Sequence, residues 1–306
     1  NHGGIMDSVE LNVVPPARVE DVFVRPNWQT GEVKVQATAR NASKTSVQTV
    51  VQFTIAQAAS GKTVASLTLD RKLPPGDSQI DARLQVPGHR LWELNDPFLY
   101  RVTVRVSSRE SKSFDEHSVR FGFRDFRFSE GCFRLNGRRI YFRCSHTGNN
   151  YPVGLKLPLD PDFLRRDLLN VKVMGFNSIR FIAGVATRGQ LDLCDEIGLM
   201  VYQESYAAWL LADSPKMKER FDRSTREMIL RDRNHPSLVM WGLLNETGDG
   251  PVFRHAVESL SLVRSLDDTR LVMLNSGRFD NQTGSSPLEV WRGTTGSDPN
   301  VTHNAM

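Results

Sequence analysis

The sequence predicts a multidomain β plus α/β protein: an immunoglobulin-like β-sandwich followed by about five β/α units, which fit either the N-terminal part of a TIM (β/α)8 barrel or a doubly wound sheet. Three observations predict it. From about residue 17 to 122 the chain is a succession of short runs rich in Val, Ile, Thr and Phe, separated by turn residues. From about residue 140 the rhythm changes to strand then helix. The later strands are nearly continuous apolar runs, as expected where helices cover both faces of a parallel sheet.

The elements follow in order. Val9-Glu10-Leu11-Asn12-Val13 alternates and reads as a strand, and Pro15-Pro16 punctuate the chain after it. Seven runs come next: VEDVFVRP, EVKVQATARN, VQTVVQFTIAQ, KTVASLTLD, SQIDARLQVP, LYRVTVRVSS and HSVRFGFRDF. Asn27, Gly31, Asn41, Gly61, Pro74-Pro75-Gly76 and Pro87-Gly88 separate them. In the second part IYFRC (140–144) reads as a strand. Residues 160–175 read as a helix with Asp160 at the N-cap, Pro161 at the first position and Gly175 as the stop. Then come a strand at 177–182, a helix at 188–198, a strand at 199–204 and an amphipathic helix at 216–233. A strand at 237–244, a helix at 252–267 and a strand at 270–276 follow. The last residues, TTGSDPNVTHNAM, form no recognisable element.

Composition narrows the function classes. Hydrophobic content is 39% and charged content 24%, both near the globular average, so disorder is disfavoured. No apolar run approaches the ~18–20 residues of a membrane span, so no membrane partner is expected. The net charge is only +4 and no basic block occurs, so nucleic acid is not an expected partner either. The three cysteines, Cys132, Cys144 and Cys194, contain no C-x-x-C. Neither a disulfide framework nor a zinc site is indicated, and no metal or other cofactor is expected. No compartment can be read from the sequence.

Polar residues cluster at the carboxyl ends of the barrel strands: His146, Arg180, Glu204, Asn245 with Glu246, and Asn275. In a parallel β/α barrel those ends form one rim, and active sites sit there. The segment DRNHPSLVMWGLLNE, Asp232 to Glu246, carries a buried-looking strand straight onto a carboxylate. A carboxyl in a pocket works as a general acid when desolvation raises its pKa. Glycosidic cleavage needs such an acid and a second carboxylate opposite it. Other readings stay open. Glu246 could begin an ordinary loop, His146 could be structural, and Arg180 could pair with Asp195, Glu196 or Glu204. Trp209 and Trp241 could be core rather than sugar platforms. A G-x-G-x-x-G is missing from RCSHTGNNYPVG, so a dinucleotide site is not indicated.

The chain resembles glycoside hydrolase family 2, which includes β-galactosidases, β-glucuronidases and β-mannosidases. The resemblance rests first on Asp232–Glu246, which is similar to the family's acid/base motif at every defining position. Further matches run in order. Gly3-Gly4-Ile5 with Val9-Glu10-Leu11 resembles the last strands of a sugar-binding jelly roll. Trp92, Pro97, Leu99, Tyr100 and Phe121-Gly122-Phe123-Arg124 resemble the end of the immunoglobulin-like domain. Leu135-Asn136-Gly137 with Phe142-Arg143 and His146 resembles the first barrel strand, and Asn177–Arg180 with Leu193–Leu199 the units after it. The implied domains are a jelly-roll tail at 1–14, the sandwich at 15–122 and the N-terminal part of the catalytic barrel at 123–306. The resemblance implies that Glu246 is the proton donor of a retaining β-glycosidase and that Asn245 contacts the sugar 2-hydroxyl. His146, Arg180 and Glu204 are implied as further substrate-binding residues.

Two departures bear on the substrate. Arg180 is followed by Phe181-Ile-Ala-Gly-Val-Ala-Thr187 where the family has Ser-His-Tyr-Pro, and Gln203-Glu204 stands where Asp-Glu is usual. The set that holds magnesium in some β-galactosidases is therefore incomplete. The family's nucleophile is a Glu closing the seventh strand; the last Glu here, Glu289, lies in a Gly/Ser/Asp-rich stretch. Both ends read as truncation points, and these 306 residues alone are expected to be inactive. The expected partner is a carbohydrate, a terminal β-glycoside and foremost a β-galactoside, with β-glucuronide or β-mannoside specificity as alternatives. A non-catalytic carbohydrate-binding protein on a degenerate barrel is the rival from another class. The intact protein could form a homo-oligomer.

Overall fold

The computed structural model describes residues 9–148, 160–208, 211–248 and 250–276, with the backbone of 301–304. The chain divides into two compact units, Asn1–Arg90 with Phe98–Phe123, and Leu91–Pro97 with Arg124–Met306.

The first unit is a seven-stranded antiparallel sandwich: β1 (Ala17–Pro26), β2 (Glu32–Asn41), β3 (Val47–Gln57), β4 (Thr63–Leu73), β5 (Gly76–Gln85), β6 (Tyr100–Ser108) and β7 (Phe114–Phe121). One sheet runs β1-β2-β5 and the other β4-β3-β6-β7. The alternation in the sequence is the cause. Val33, Val35, Ala37 and Ala39 of β2 are buried, and so are Val51, Phe53 and Ile55 of β3. The register pairs Val51 with Val106, Phe53 with Val104 and Ile55 with Val102, so one face of each strand is apolar against its neighbour. With no disulfide, this core carries the unit; truncating a fully buried Phe53 to Ala would cost about 3–5 kcal/mol. Val9–Val13 forms no strand, contrary to its alternation, and Leu11 and Val13 are exposed. A strand exists only through a hydrogen-bonded neighbour, and none of the described strands lies beside it.

The second unit opens with β8 (Phe126–Ser129), β9 (Cys132–Leu135) and β10 (Arg138–Ile140), an antiparallel meander. Asn136 and Gly137, at φ 51° and 75°, turn β9 into β10, the Asn-Gly pattern that a two-residue hairpin favours. Then the parallel sheet begins: β11 (Cys144–Thr147), α1 (Pro161–Val173), β12 (Ser178–Phe181), α2 (Arg188–Ile197), β13 (Met200–Glu204) and α3 (Met217–Asp232). It continues through β14 (Leu238–Asn245), α4 (Pro251–Glu258), α5 (Leu260–Leu266), β15 (Leu271–Ser276) and β16 (Val301–Asn304). Its strands are parallel and in sequence order, the arrangement of a partial TIM barrel. The helix ends follow their capping residues. Asp160 accepts the Asp162 N–H at 2.9 Å, Thr187 and Gln190 form a reciprocal capping box, and Gly198 closes α2 in the left-handed region.

Three elements differ from the sequence reading. IYFRC spans the end of β10 and the start of β11, so the first barrel strand is the more polar Cys144–Thr147. The helix expected over 252–267 is two, because Ser259 interrupts it and its hydroxyl turns back to the Ala256 carbonyl at 2.8 Å. The closing segment contains β16, which pairs with β15 from Val272↔Val301 to Ser276↔Asn304. A polar strand of four residues has no apolar period to read.

The first half of the Asp232–Glu246 segment fastens the barrel strands to their neighbours. Asp232 is fully buried; it accepts from Arg231 at 2.7 Å and from the Gln203 amide at 2.6 Å. His235 bonds the buried Asp195 at 2.6 Å, whose second oxygen accepts the Ser237 N–H at 3.0 Å. Trp92 donates to the Asp195 carbonyl at 2.9 Å, and Arg270 to the Leu238 and His235 carbonyls.

Candidate active site

At the C-terminal ends of the same strands a hydrogen-bonded cluster links β12, β13, β14 and β15. Glu204 ends β13 with its side chain fully buried. Its Oε1 accepts from Arg180 Nε at 2.8 Å and the Tyr202 hydroxyl at 2.8 Å, and the Ser276 hydroxyl lies 3.0 Å away. Its Oε2 accepts the Ala183 N–H at 2.9 Å. Arg180, in β12, also donates to Ser276 Oγ and, at 2.5 Å, to Asn245 Oδ1. Its guanidinium lies 5.1 Å from the Tyr202 ring centre. Burial and the Glu204 charge push the Tyr202 phenol well above its ordinary pKa, so Tyr202 stays a neutral donor to the carboxylate.

Room for this cluster comes from Gly242. An added Cβ there would lie 2.5 Å from the Tyr202 ring and 2.6 Å from Glu204 Cγ. The glycine inside an otherwise bulky apolar strand is a space requirement of the site.

Asn245 is buried, and its amide has a defined orientation. Its Oδ1 accepts from Arg180, and the Ser276 hydroxyl, whose one proton goes either to this oxygen or to Glu204, lies 2.7 Å away. Because arginine only donates, the oxygen must be on that side. The Nδ2 group is left buried with no hydrogen-bond partner. Buried polar groups are nearly always paired, so an orphaned N–H donor at the carboxyl end of a barrel strand is an exception that calls for an acceptor.

Glu246 follows, half-buried and at φ 53°. A non-glycine residue in the left-handed region costs about 1–2 kcal/mol and persists where its surroundings hold it. Here its N–H donates to the Ser276 carbonyl at 3.0 Å. Asn275 then clamps Thr247 from both sides: Oδ1 accepts the Thr247 N–H at 3.1 Å, and Nδ2 donates to the Thr247 carbonyl at 2.9 Å. The Thr247 hydroxyl ties the turn to the Ala208 carbonyl at 2.7 Å.

The structure therefore brings Arg180, Glu204, Asn245 and Glu246 to one rim. His146 is on that rim too, in β11 and in register with Arg180, but it is exposed, and among the described residues no hydrogen bond joins it to the cluster. Arg180 pairs with Glu204, not with Asp195 or Glu196. Trp241 is core: it is fully buried and donates to Asp267 at 2.8 Å. Trp209 and Glu289 lie outside the described residues. Sequence reasoning passed over Ser276, Tyr202 and Gly242. Ser276 had a visible signal, since it too is a polar residue ending an apolar barrel strand.

Glu204 is a poor cation ligand here, because a guanidinium stands against it and Oε1 already accepts several donors. Asp192, Asp195 and His235 gather ligand atoms within 4.8 Å, but Asp195 is engaged by His235 and Ser237 at the other end of the strands.

Comparison with known proteins gives the same architecture a family. The model of glycosyl hydrolases family 2 matches residues 17–124, and the TIM barrel domain model of that family matches 126–291. A Formosa agariphila protein named for β-glucuronidase activity is 32% identical over 287 residues, 90% of this chain and 26% of its own length. A β-galactosidase from Thermoanaerobacterium thermosulfurigenes is 31% identical over 207 residues, covering 65% of this chain and 27% of that protein. The crystal structure of a β-galacturonidase from Eisenbergiella tayi, bound to glycerol, superposes with a TM-score of 0.74 at 28% identity, covering 87% of this chain and 47% of that one. The chain thus spans about a quarter of the length of these curated relatives.

Proposed function

The chain belongs to glycosyl hydrolases family 2, and on that premise we propose that it carries the acid/base half of a retaining β-glycosidase acting on terminal β-glycosides. Glu246 is the acid: it protonates the leaving oxygen as the glycosyl–oxygen bond breaks, and then takes a proton from the water that releases the sugar. The partner nucleophile belongs to a barrel strand beyond the six of this sheet, about 5–5.5 Å from Glu246 in the closed site. Asn245 Nδ2 donates to a sugar hydroxyl. Arg180, held by Glu204 and Ser276, fixes the Asn245 amide so that this donor faces the substrate. His146 contributes from the open side of the rim.

The observation that carries this reading is the orphaned Asn245 amide next to a carboxylate held in a left-handed turn. β-Galactosides are the substrates proposed first, with β-glucuronides and β-mannosides as the comparison.

The test is a leaving-group series. In the complete protein, Glu246→Gln should slow glycosylation by about 10²–10⁴-fold for alkyl or sugar leaving groups. It should slow it far less for dinitrophenyl glycosides, which depart without a proton. Equal loss across the series would remove the acid role. Absence of turnover by the wild-type complete protein on all three glycosides would favour a binding-only barrel.

A further inference from the structure

Beside the catalytic rim lies a cavity of about 390 Å³ that the proposed reaction does not use. Its walls are Tyr206, in the loop after β13, and Arg220, Arg223 and Ser224 of α3, with Phe221 and Thr225 at its base. Two features set it apart from an ordinary solvated groove. Thr225 is fully buried, yet its hydroxyl has no hydrogen-bond partner. Neither Arg220 nor Arg223 has an ion pair or side-chain hydrogen bond among the described residues. Two unpaired guanidinia, a serine hydroxyl and an orphaned threonine hydroxyl converge on a space walled on one side by a tyrosine that is 64% exposed.

The position of the cavity gives it a meaning. The loop that supplies Tyr206 runs on to Ala208, whose carbonyl accepts the Thr247 hydroxyl at 2.7 Å, so this loop abuts the turn that holds Glu246. Tyr206 also borders Gly184, its ring 3.6 Å from where a Cβ would be, in the loop whose Ala183 N–H binds Glu204. Glu246 is the group that meets the leaving oxygen. A pocket next to its loop is therefore placed for the leaving-group side of the substrate.

We propose that this cavity is a leaving-group subsite for an anionic saccharide, one bearing a carboxylate or a sulfate. The guanidinia match the planar or tetrahedral oxyanion by charge-assisted hydrogen bonds. The tyrosine face and the two hydroxyls suit a sugar ring rather than a bare anion. The leaving-group assignment rests on the acid role of Glu246; the anion preference rests only on the cavity.

Binding without turnover separates the two. The full chain is titrated with lactose, with lactose whose reducing glucose is oxidised to glucuronate, and with 6-sulfolactose, sulfated on that same glucose, while backbone amide shifts are followed by NMR. At least one anionic probe should bind roughly tenfold or more tightly than lactose and move the amides of 205–207 and 220–225. Whichever probe binds identifies carboxylate or sulfate as the natural group. Arg220→Gln combined with Arg223→Gln, both on the exposed surface of α3, should reduce that affinity to the level of lactose. Thr225→Val should weaken both classes, since the hydroxyl serves the sugar. The proposal is overturned if neither anionic probe binds, if lactose binds equally well, or if the double variant binds as tightly as the wild type. None of these results depends on whether Glu246 is the acid, which the leaving-group series decides.

Discussion

Glu246 owes its placement less to its own contacts than to those of its neighbours. A glutamate at φ 53° is held because Ser276 accepts its N–H and Asn275 grips both backbone groups of Thr247. Asn275→Ala in the complete protein should therefore lower kcat by about tenfold with KM little changed, since the acid moves while the sugar contacts stay. An unchanged kcat would mean that the turn holds itself. The strand-end logic made His146, Arg180, Glu204, Asn245, Glu246 and Asn275 visible in the sequence, because an apolar run that stops on a polar residue must open onto something. It could not show who pairs with whom. That Arg180 joins Glu204 and Asn245 through Ser276, and that Gly242 makes the room, are facts of register between strands far apart in sequence.

The strand β14 shows how one segment serves both the packing of a barrel and its rim. Asp232 and His235, which precede it, tie Gln203 of β13 and Asp195 of α2, and its last residue presents the amide at the carboxyl end. Burial of His235 opposes its protonation, but the Asp195 charge and hydrogen bond, reinforced by Asp232 and Asp192, win and raise its pKa. A group with a raised folded pKa stabilises in full below its unfolded value of about 6.5, and that stabilisation fades as pH rises through the folded pKa. His235→Gln should thus lower the melting temperature most at about pH 6, with the gap to wild type narrowing towards about pH 9. A gap independent of pH would show that the ring only fills space. At this scale the periodic elements were legible, including the capped ends of α1 and α2. The misplacements fell where local chemistry is weak: the polar strand β11, the serine break between α4 and α5, and β16.

Across the whole chain, two units with separate cores follow from two rhythms of apolar residues, period two in the sandwich and buried runs in the barrel. The segment Leu91–Pro97 lies in sequence between β5 and β6 but belongs to the second unit, where Trp92 is fully buried. Local sequence could not reveal this, since long-range bonds define it: Trp92 to the Asp195 carbonyl, Asn136 to the Trp92 carbonyl and Lys172 to the Leu94 carbonyl. The sheet of six parallel strands carries Glu246 on its rim, the proposed acid/base of the complete protein. The most direct test is chemical rescue. In the complete protein with Glu246→Ala, added azide should accelerate turnover of a dinitrophenyl β-glycoside and yield the β-glycosyl azide, because azide needs no general base to attack the glycosyl-enzyme. If azide leaves the rate unchanged, or the product is the α-azide, Glu246 is not the acid/base of a retaining glycosidase.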